Sequence, residues 1–169
     1  MNLQRCVILV GHGGLPKDCP PELISRFRRL KAEFKGQPSR ELLEAEAAIR
    51  AWPRTPDNDP YKPGLEAVAE ALRRELPDHL VLAAYGEFCA PSIEEAAEEA
   101  MRRGALHITV VSTMYTRGGA HSETEIPAII ESLRRGHPAA SFRYAWPYEL
   151  ASVAAMLATQ VRRAEVKTS

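Results

Sequence analysis

Hydrophobic and polar residues along this chain fall into blocks that switch between two periods. Cys6-Val7-Ile8-Leu9-Val10 is an unbroken apolar run stopped by Gly11, the pattern of a strand buried on both faces of a parallel sheet. Leu80-Val81-Leu82-Ala83-Ala84-Tyr85, stopped by Gly86, repeats it; His107 to Ser112 reads as the third strand and Phe142 to Ala145 as a short fourth. Between these runs the spacing becomes helical. Leu65, Val68, Ala69, Leu72 and Leu76 share one face of a helix that starts from Pro63 and ends at Pro77-Asp78. Ser92 and Glu95 form a capping box ahead of inward-facing Ile93, Ala96, Ala97, Ala100 and Met101, and Gly104 suits the C-terminal cap. A further helix begins near Thr124, with Pro127 in its first turn, where a missing N–H costs nothing; Ile126, Ile129, Ile130 and Leu133 face the core. Leu150, Val153, Ala154, Leu157 and Val161 mark the last helix, and Arg162-Arg163 suits its C-terminal end.

Residues 15–62 break this rhythm. Pro16, Pro20, Pro21, Pro38, Pro53, Pro56 and Pro60 fall here. Pro21 to Phe34 and Ser39 to Trp52 read as helices, whereas Pro53 to Pro60 cannot be regular structure, because proline and the residue before it resist both helix and central strand. The stretch is expected to be a helical hairpin plus a loop, serving as a lid, an interface element or a plain elaboration.

The order strand, insertion, helix, then alternating strands and helices predicts an α/β fold: a four-stranded parallel, flavodoxin-like sheet in the order 2-1-3-4 with helices on both faces and a helical insertion after the first strand. A length of 169 residues favours a single domain over 1–169, with the Pro-rich insertion at about 15–62. Lys+Arg and Asp+Glu are both 22, so the overall charge calls for neither nucleic acid nor an anionic membrane. No apolar stretch is long enough to span a bilayer, and Met1-Asn2-Leu3-Gln4-Arg5 lacks a signal-peptide pattern. Cys6, Cys19 and Cys89 are an odd set without a C-x-x-C pair, which excludes a disulfide framework as the organising principle and makes a reducing cytoplasm the expected location.

Candidate chemistry sits at the strand ends. His12 follows the first strand in Val10-Gly11-His12-Gly13-Gly14, Glu87 follows the second, and His121 follows the third in Gly118-Gly119-Ala120-His121. In a 2-1-3 sheet these strands are neighbours, so the three side chains can converge at the carboxyl rim, where ligands bind in such folds. Two imidazoles and a carboxylate suit a borderline divalent transition metal or proton transfer. The glycines around both histidines, including Gly13, Gly14 and Gly119, let a large ligand approach the backbone. Cys89 offers a soft ligand or a buried thiol, and Tyr85 and Tyr115 offer rim stacking or core packing. No G-x-S-x-G or Walker-type loop is present.

These motifs resemble those of the small class II tetrapyrrole metal chelatases, the sirohydrochlorin cobaltochelatase and ferrochelatase group. That group shows V-G-H-G-S after its first strand, an acid shortly before a P-S-I helix start after its second, and a His followed by D-I-P after its third. Here the counterparts are Val10 to Gly14, Glu87-Phe88-Cys89-Ala90-Pro91-Ser92-Ile93, and His121 to Pro127. The resemblance covers Arg5 to Val10 and about residues 63–163. It implies catalytic and metal-binding roles for His12 and His121 with Glu87 beside them, and insertion of Co²⁺ or Fe²⁺, with Ni²⁺ a further candidate, into sirohydrochlorin without a nucleotide. Such tetrapyrroles carry many carboxylates, for which Arg117 is the candidate basic contact. It also implies a homodimer. The chain departs from the group in Gly14 for serine, Ala90 for a second acid, Glu125 for Asp, and the long segment from Leu15 to Lys62. The alternatives are a non-catalytic protein that holds a metal or a tetrapyrrole for delivery, and an unrelated α/β enzyme using the two histidines as an acid–base pair.

Overall fold

In the computed structural model, which describes residues 5–34 and 36–166, the first apolar run forms the inner strand β1 (Arg5–Gly11). The rest of the chain wraps around it as α1 (Pro21–Glu33), α2 (Arg40–Arg50), α3 (Tyr61–Glu75), β2 (Leu80–Tyr85), α4 (Ile93–Arg102), β3 (His107–Ser112), α5 (Ile126–Gly136), β4 (Ser141–Tyr144) and α6 (Leu150–Val166). All four strands are parallel, in the order β2-β1-β3-β4, as expected. Gly11 pairs with Tyr85 and Val10 with Ser112. The three strands therefore finish level, and their following loops leave from one edge.

Alternation along β1 separates two cores. Cys6, Ile8 and Val10 face Ile93, Ala96, Ala97 and Ala100 of α4 and Ile126, Ile130 and Leu133 of α5. The alanines let α4 lie close to the sheet. Val7 and Leu9 face the other way, onto Leu65 and Ala69 of α3. Each fully buried aliphatic side chain, such as Ile8 or Ile130, contributes about 2–3 kcal/mol through removal of apolar area from water. The Ser92–Glu95 capping box is formed in both directions. Gly104 lies at φ +86°, the left-handed conformation that ends α4.

The structure departs from the sequence reading in three places. Helix α3 starts at Tyr61, because Pro63 still falls within the first turn, where no N–H partner is required. The helix after β3 starts at His121, in a wide π turn over His121–Glu125 that closes by an Ile126 N–H to His121 C=O bond. Pro127 has no N–H with which to continue an ordinary i→i−4 ladder there, and the wider turn absorbs the gap. Helix α6 buries no residue: Leu150, Leu157 and Val161 are exposed. Between α3 and α6 an apolar cleft of about 640 Å³ opens over Val7, Leu9 and Val111.

The insertion has its own apolar centre. Phe27 of α1 and Leu42, Ala45 and Ile49 of α2 pack with Cys19, and Leu15, Trp52 and Phe88 close the cluster. Ser39 caps α2 by accepting from the Leu42 N–H at 3.2 Å. No helix among the described residues is long and apolar enough to cross a membrane.

Candidate metal centre

The loop after β1 folds as it does because Gly13 sits at φ +97° with its Cα against the Glu87 loop. A Cβ there would lie 1.9 Å from the Glu87 carbonyl oxygen, so only glycine allows the two loops to touch. Backbone bonds lock the contact: Gly86 N–H donates to Gly11 C=O at 2.9 Å and Glu87 N–H to His12 C=O at 2.8 Å. The His12 N–H donates to the Tyr61 hydroxyl at 2.8 Å. Gly14 has a local reason too, since a Cβ at that position would meet Asp59 Oδ1 at 3.0 Å. The hydroxyl-bearing residue of the resembling group is absent where the insertion returns.

His12, Glu87 and His121 each offer one ligand atom, and the three atoms lie within 4.8 Å of one another. The imidazole rings of His12 and His121 stand perpendicular, 4.9 Å apart between centroids. His12 Nε2 is 3.9 Å from Glu87 Oε2. His12 Nδ1 lies 3.0 Å from Gly13 C=O, and a carbonyl only accepts, so in the neutral ring Nδ1 carries the hydrogen and Nε2 the lone pair. The π turn places Glu125 beside His121, with Nδ1 2.7 Å from Glu125 Oε2. That carboxylate likewise leaves His121 Nε2 as the free donor atom, the arrangement by which an outer carboxylate orients a metal-binding histidine. The set of two nitrogens and one carboxylate oxygen fits a borderline divalent ion.

Three residues that the sequence did not single out hold this geometry. Arg54, only 9% exposed at its side chain, pairs with Asp59 at 2.7 Å, where Asp59 is 2% exposed. The same guanidinium donates to Gly14 C=O at 2.7 Å, to Ile49 C=O at 3.1 Å and to Phe88 C=O. It thus clamps the insertion to the residues just after His12 and Glu87. Lys31, from α1, pairs with Glu87 Oε1. Tyr61 holds the His12 backbone. Phe88 adopts φ +60°, a sparsely populated conformation for an aromatic residue, and its ring lies 5.8 Å from Phe27 and 6.1 Å from His12. None of these contacts has a spacing signal in the sequence. The contacts of Lys31 to Glu87, Tyr61 to His12, and Arg54 to Gly14 and Phe88 join positions 34 to 56 residues apart, and only the buried partners of Arg54 distinguish it from an ordinary surface arginine.

The remaining candidates fall into two groups. Gly13 and Gly14 line the His12 loop, while Arg117 and Gly119 are exposed in the loop after β3. Arg117 makes no ion pair among the described residues, so its guanidinium faces solvent at the rim. Tyr85 and Cys89 belong to the core instead, packed with Val7, Leu9 and Leu65. Burial raises the Cys89 thiol pKa above its ordinary value, which disfavours the thiolate a metal would require. Tyr115 remains at the surface.

The model of the CbiX family matches residues 57–164 of the chain. No curated protein sequence matches it. Among solved structures, the CbiX protein of Marinobacter aquaeolei VT8 is similar with a TM-score of 0.58 and 19% identity, covering 98% of this chain and 99% of that one. The sirohydrochlorin chelatase SirB from Bacillus subtilis subspecies spizizenii, in complex with cobalt, is similar with a TM-score of 0.45 and 19% identity over 85% of this chain and 43% of that one. SirB from Bacillus subtilis with Fe³⁺ follows with a TM-score of 0.44 and 18% identity, over 83% of this chain and 39% of that one. The chain spans less than half the length of either SirB chain.

Proposed function

The chain belongs to the CbiX family, and from that premise we propose that it is a chelatase that inserts Co²⁺ or Fe²⁺ into sirohydrochlorin or a closely related tetrapyrrole. The observation that carries the reading is the convergence of His12, Glu87 and His121 on one point at the rim of the sheet. The metal is a substrate here. His12 Nε2, His121 Nε2 and one Glu87 oxygen hold it, and the site lies open enough to release it.

Insertion exchanges two pyrrole N–H protons for one divalent ion, so the site must present the metal and take up protons at the same place. A histidine that gives up the metal regains its Nε2 lone pair and accepts a proton at that atom. Glu87 offsets the positive charge while the ion is bound, and Glu125 keeps His121 oriented throughout. Arg117 at the rim offers a cation to the carboxylates of the macrocycle. Nothing in this scheme uses a nucleotide. The reading extends to a single chelatase-like domain with the insertion at 15–62 as a wall of the site, and to a homodimer in solution.

The test is anaerobic mixing of the protein with sirohydrochlorin and Co²⁺, Fe²⁺ or Ni²⁺, followed by absorption spectroscopy. Insertion faster than the protein-free control, and lost in H12A and H121A, is the expected result. A rate equal to the control refutes the enzyme. Tetrapyrrole binding without turnover would instead make the chain a carrier on the same scaffold.

A further inference from the structure

We propose that Lys31 is an internal cation that occupies Glu87 while the metal is absent and is displaced when the metal binds. The inference rests on the reading of His12, Glu87 and His121 as the metal site. Most of the surface ion pairs among the described residues join positions three or four apart on one helix, as in Arg29–Glu33, Arg40–Glu44 and Arg103–Glu99. Lys31 is different. On α1 the positions three and four before it are Arg28 and Phe27, neither acidic, and the helix ends at Glu33 two residues on, so its own helix offers it no acidic partner at ion-pair spacing. Its partner is Glu87, 56 residues away in sequence and one of the three candidate metal ligands.

The placement is built rather than incidental. Phe27, one turn before Lys31, is buried and packs edge-on against Phe88, the residue after Glu87. The Lys31 ammonium lies 5.7 Å from the Phe27 ring centroid. Phe88 in turn touches His12 through its ring, and Arg54 grips its carbonyl. Helix α1 is therefore docked on the Glu87 loop through an aromatic contact that aims its one lysine at the carboxylate. Oxygen Oε1 holds Lys31 while Oε2 faces His12. A divalent ion on Oε2 and an ammonium on Oε1 would repel across a single carboxylate. Metal binding and the lysine contact then oppose each other, and the lysine sets how firmly the site retains the ion that it must later give up.

The experiment is a Co²⁺ titration of the wild type, K31M, K31R and H12A, read by calorimetry, with hydrogen exchange of the α1 amides measured with and without Co²⁺. Methionine keeps the stem that packs on Phe27 and removes the charge. A half-exposed pair of this kind sets the scale of the competition, so K31M binds Co²⁺ about two- to five-fold tighter than wild type, and K31R restores the weaker affinity. In the wild type, Co²⁺ speeds exchange in residues 21–33; in K31M it does not. Equal or weaker Co²⁺ binding in K31M, or α1 exchange in the wild type that ignores Co²⁺, overturns the role of Lys31. If H12A has lost binding in that same experiment, the metal-site reading survives. Binding that persists in H12A, or a wild type that takes up no Co²⁺, overturns the site reading itself and the Lys31 role with it.

Discussion

Replacing Arg54 with methionine tests the claim that one buried side chain holds the site together. The substitution keeps much of the aliphatic volume and removes the guanidinium. Asp59, 2% exposed and 2.7 Å from Arg54, then loses its counter-charge inside the protein. Stranding one member of a buried pair costs about 3–5 kcal/mol, and the carbonyls of Gly14, Ile49 and Phe88 lose a donor as well. Against a total stability of about 5–15 kcal/mol for an ordinary domain, R54M should still fold, with roughly 4 kcal/mol removed. Urea denaturation followed by circular dichroism measures the loss. The double variant R54M/D59N removes the stranded charge too, so it should be more stable than the two single losses predict by more than about 1 kcal/mol. The reasoning is refuted if R54M loses less than about 1 kcal/mol, or if the double-mutant cycle is additive within about 0.5 kcal/mol. Because Gly14 and Phe88 adjoin His12 and Glu87, folded R54M should also bind Co²⁺ more weakly than wild type.

Three further outcomes follow from the same geometry. G13A forces a Cβ onto the Glu87 carbonyl at φ +97°; a loss of at least about 2 kcal/mol in urea together with loss of Co²⁺ binding is expected, and a wild-type melt would show that the loops are not in contact. E125Q keeps the shape beside His121 but removes the anion, so Co²⁺ affinity should fall about ten-fold with stability unchanged; unaltered affinity would remove Glu125 from the site. Burial, opposed weakly by Arg103, raises the Cys6 thiol from 9.0 to about 12. The folded protein therefore holds that proton longer than the unfolded chain, the stabilisation is complete below pH 9, and it is lost progressively between 9 and 12. At pH 10 the Cys6 share of the loss is about 1 kcal/mol, so stability should fall less steeply from pH 8 to 10 in C6A than in the wild type; equal slopes would contradict it.

The sheet was legible because its signal is redundant. The run Cys6–Val10 is apolar at every position, which a parallel inner strand requires, and the helices between strands impose the parallel order that the structure has. The convergence of His12, Glu87 and His121 followed from that order alone, since adjacent parallel strands end at one rim. What escaped was everything that depends on the insertion. Lys31 reads as a solvated helical lysine, and Arg54 lies in a proline-rich stretch with no period; only the folded chain brings both to the loops beside Glu87. The π turn at His121 was hidden because Pro127 is equally compatible with the first turn of a plain helix. For α6 the apolar spacing is real, yet spacing reports a shared face and not what covers it.

The inner position of β1 has a consequence for how the chain is made. Cys6 must pair with Leu80 on one side and Ile108 on the other, and the insertion lengthens the wait for both. At a synthesis rate of roughly 5–20 residues per second, the first apolar strand spends several seconds on the ribosome with both hydrogen-bonding edges bare. Such an edge recruits other strands, and distant pairing of this kind slows folding. The exposure of β1 during synthesis is thus set by the length of chain between it and the two strands that cover its edges.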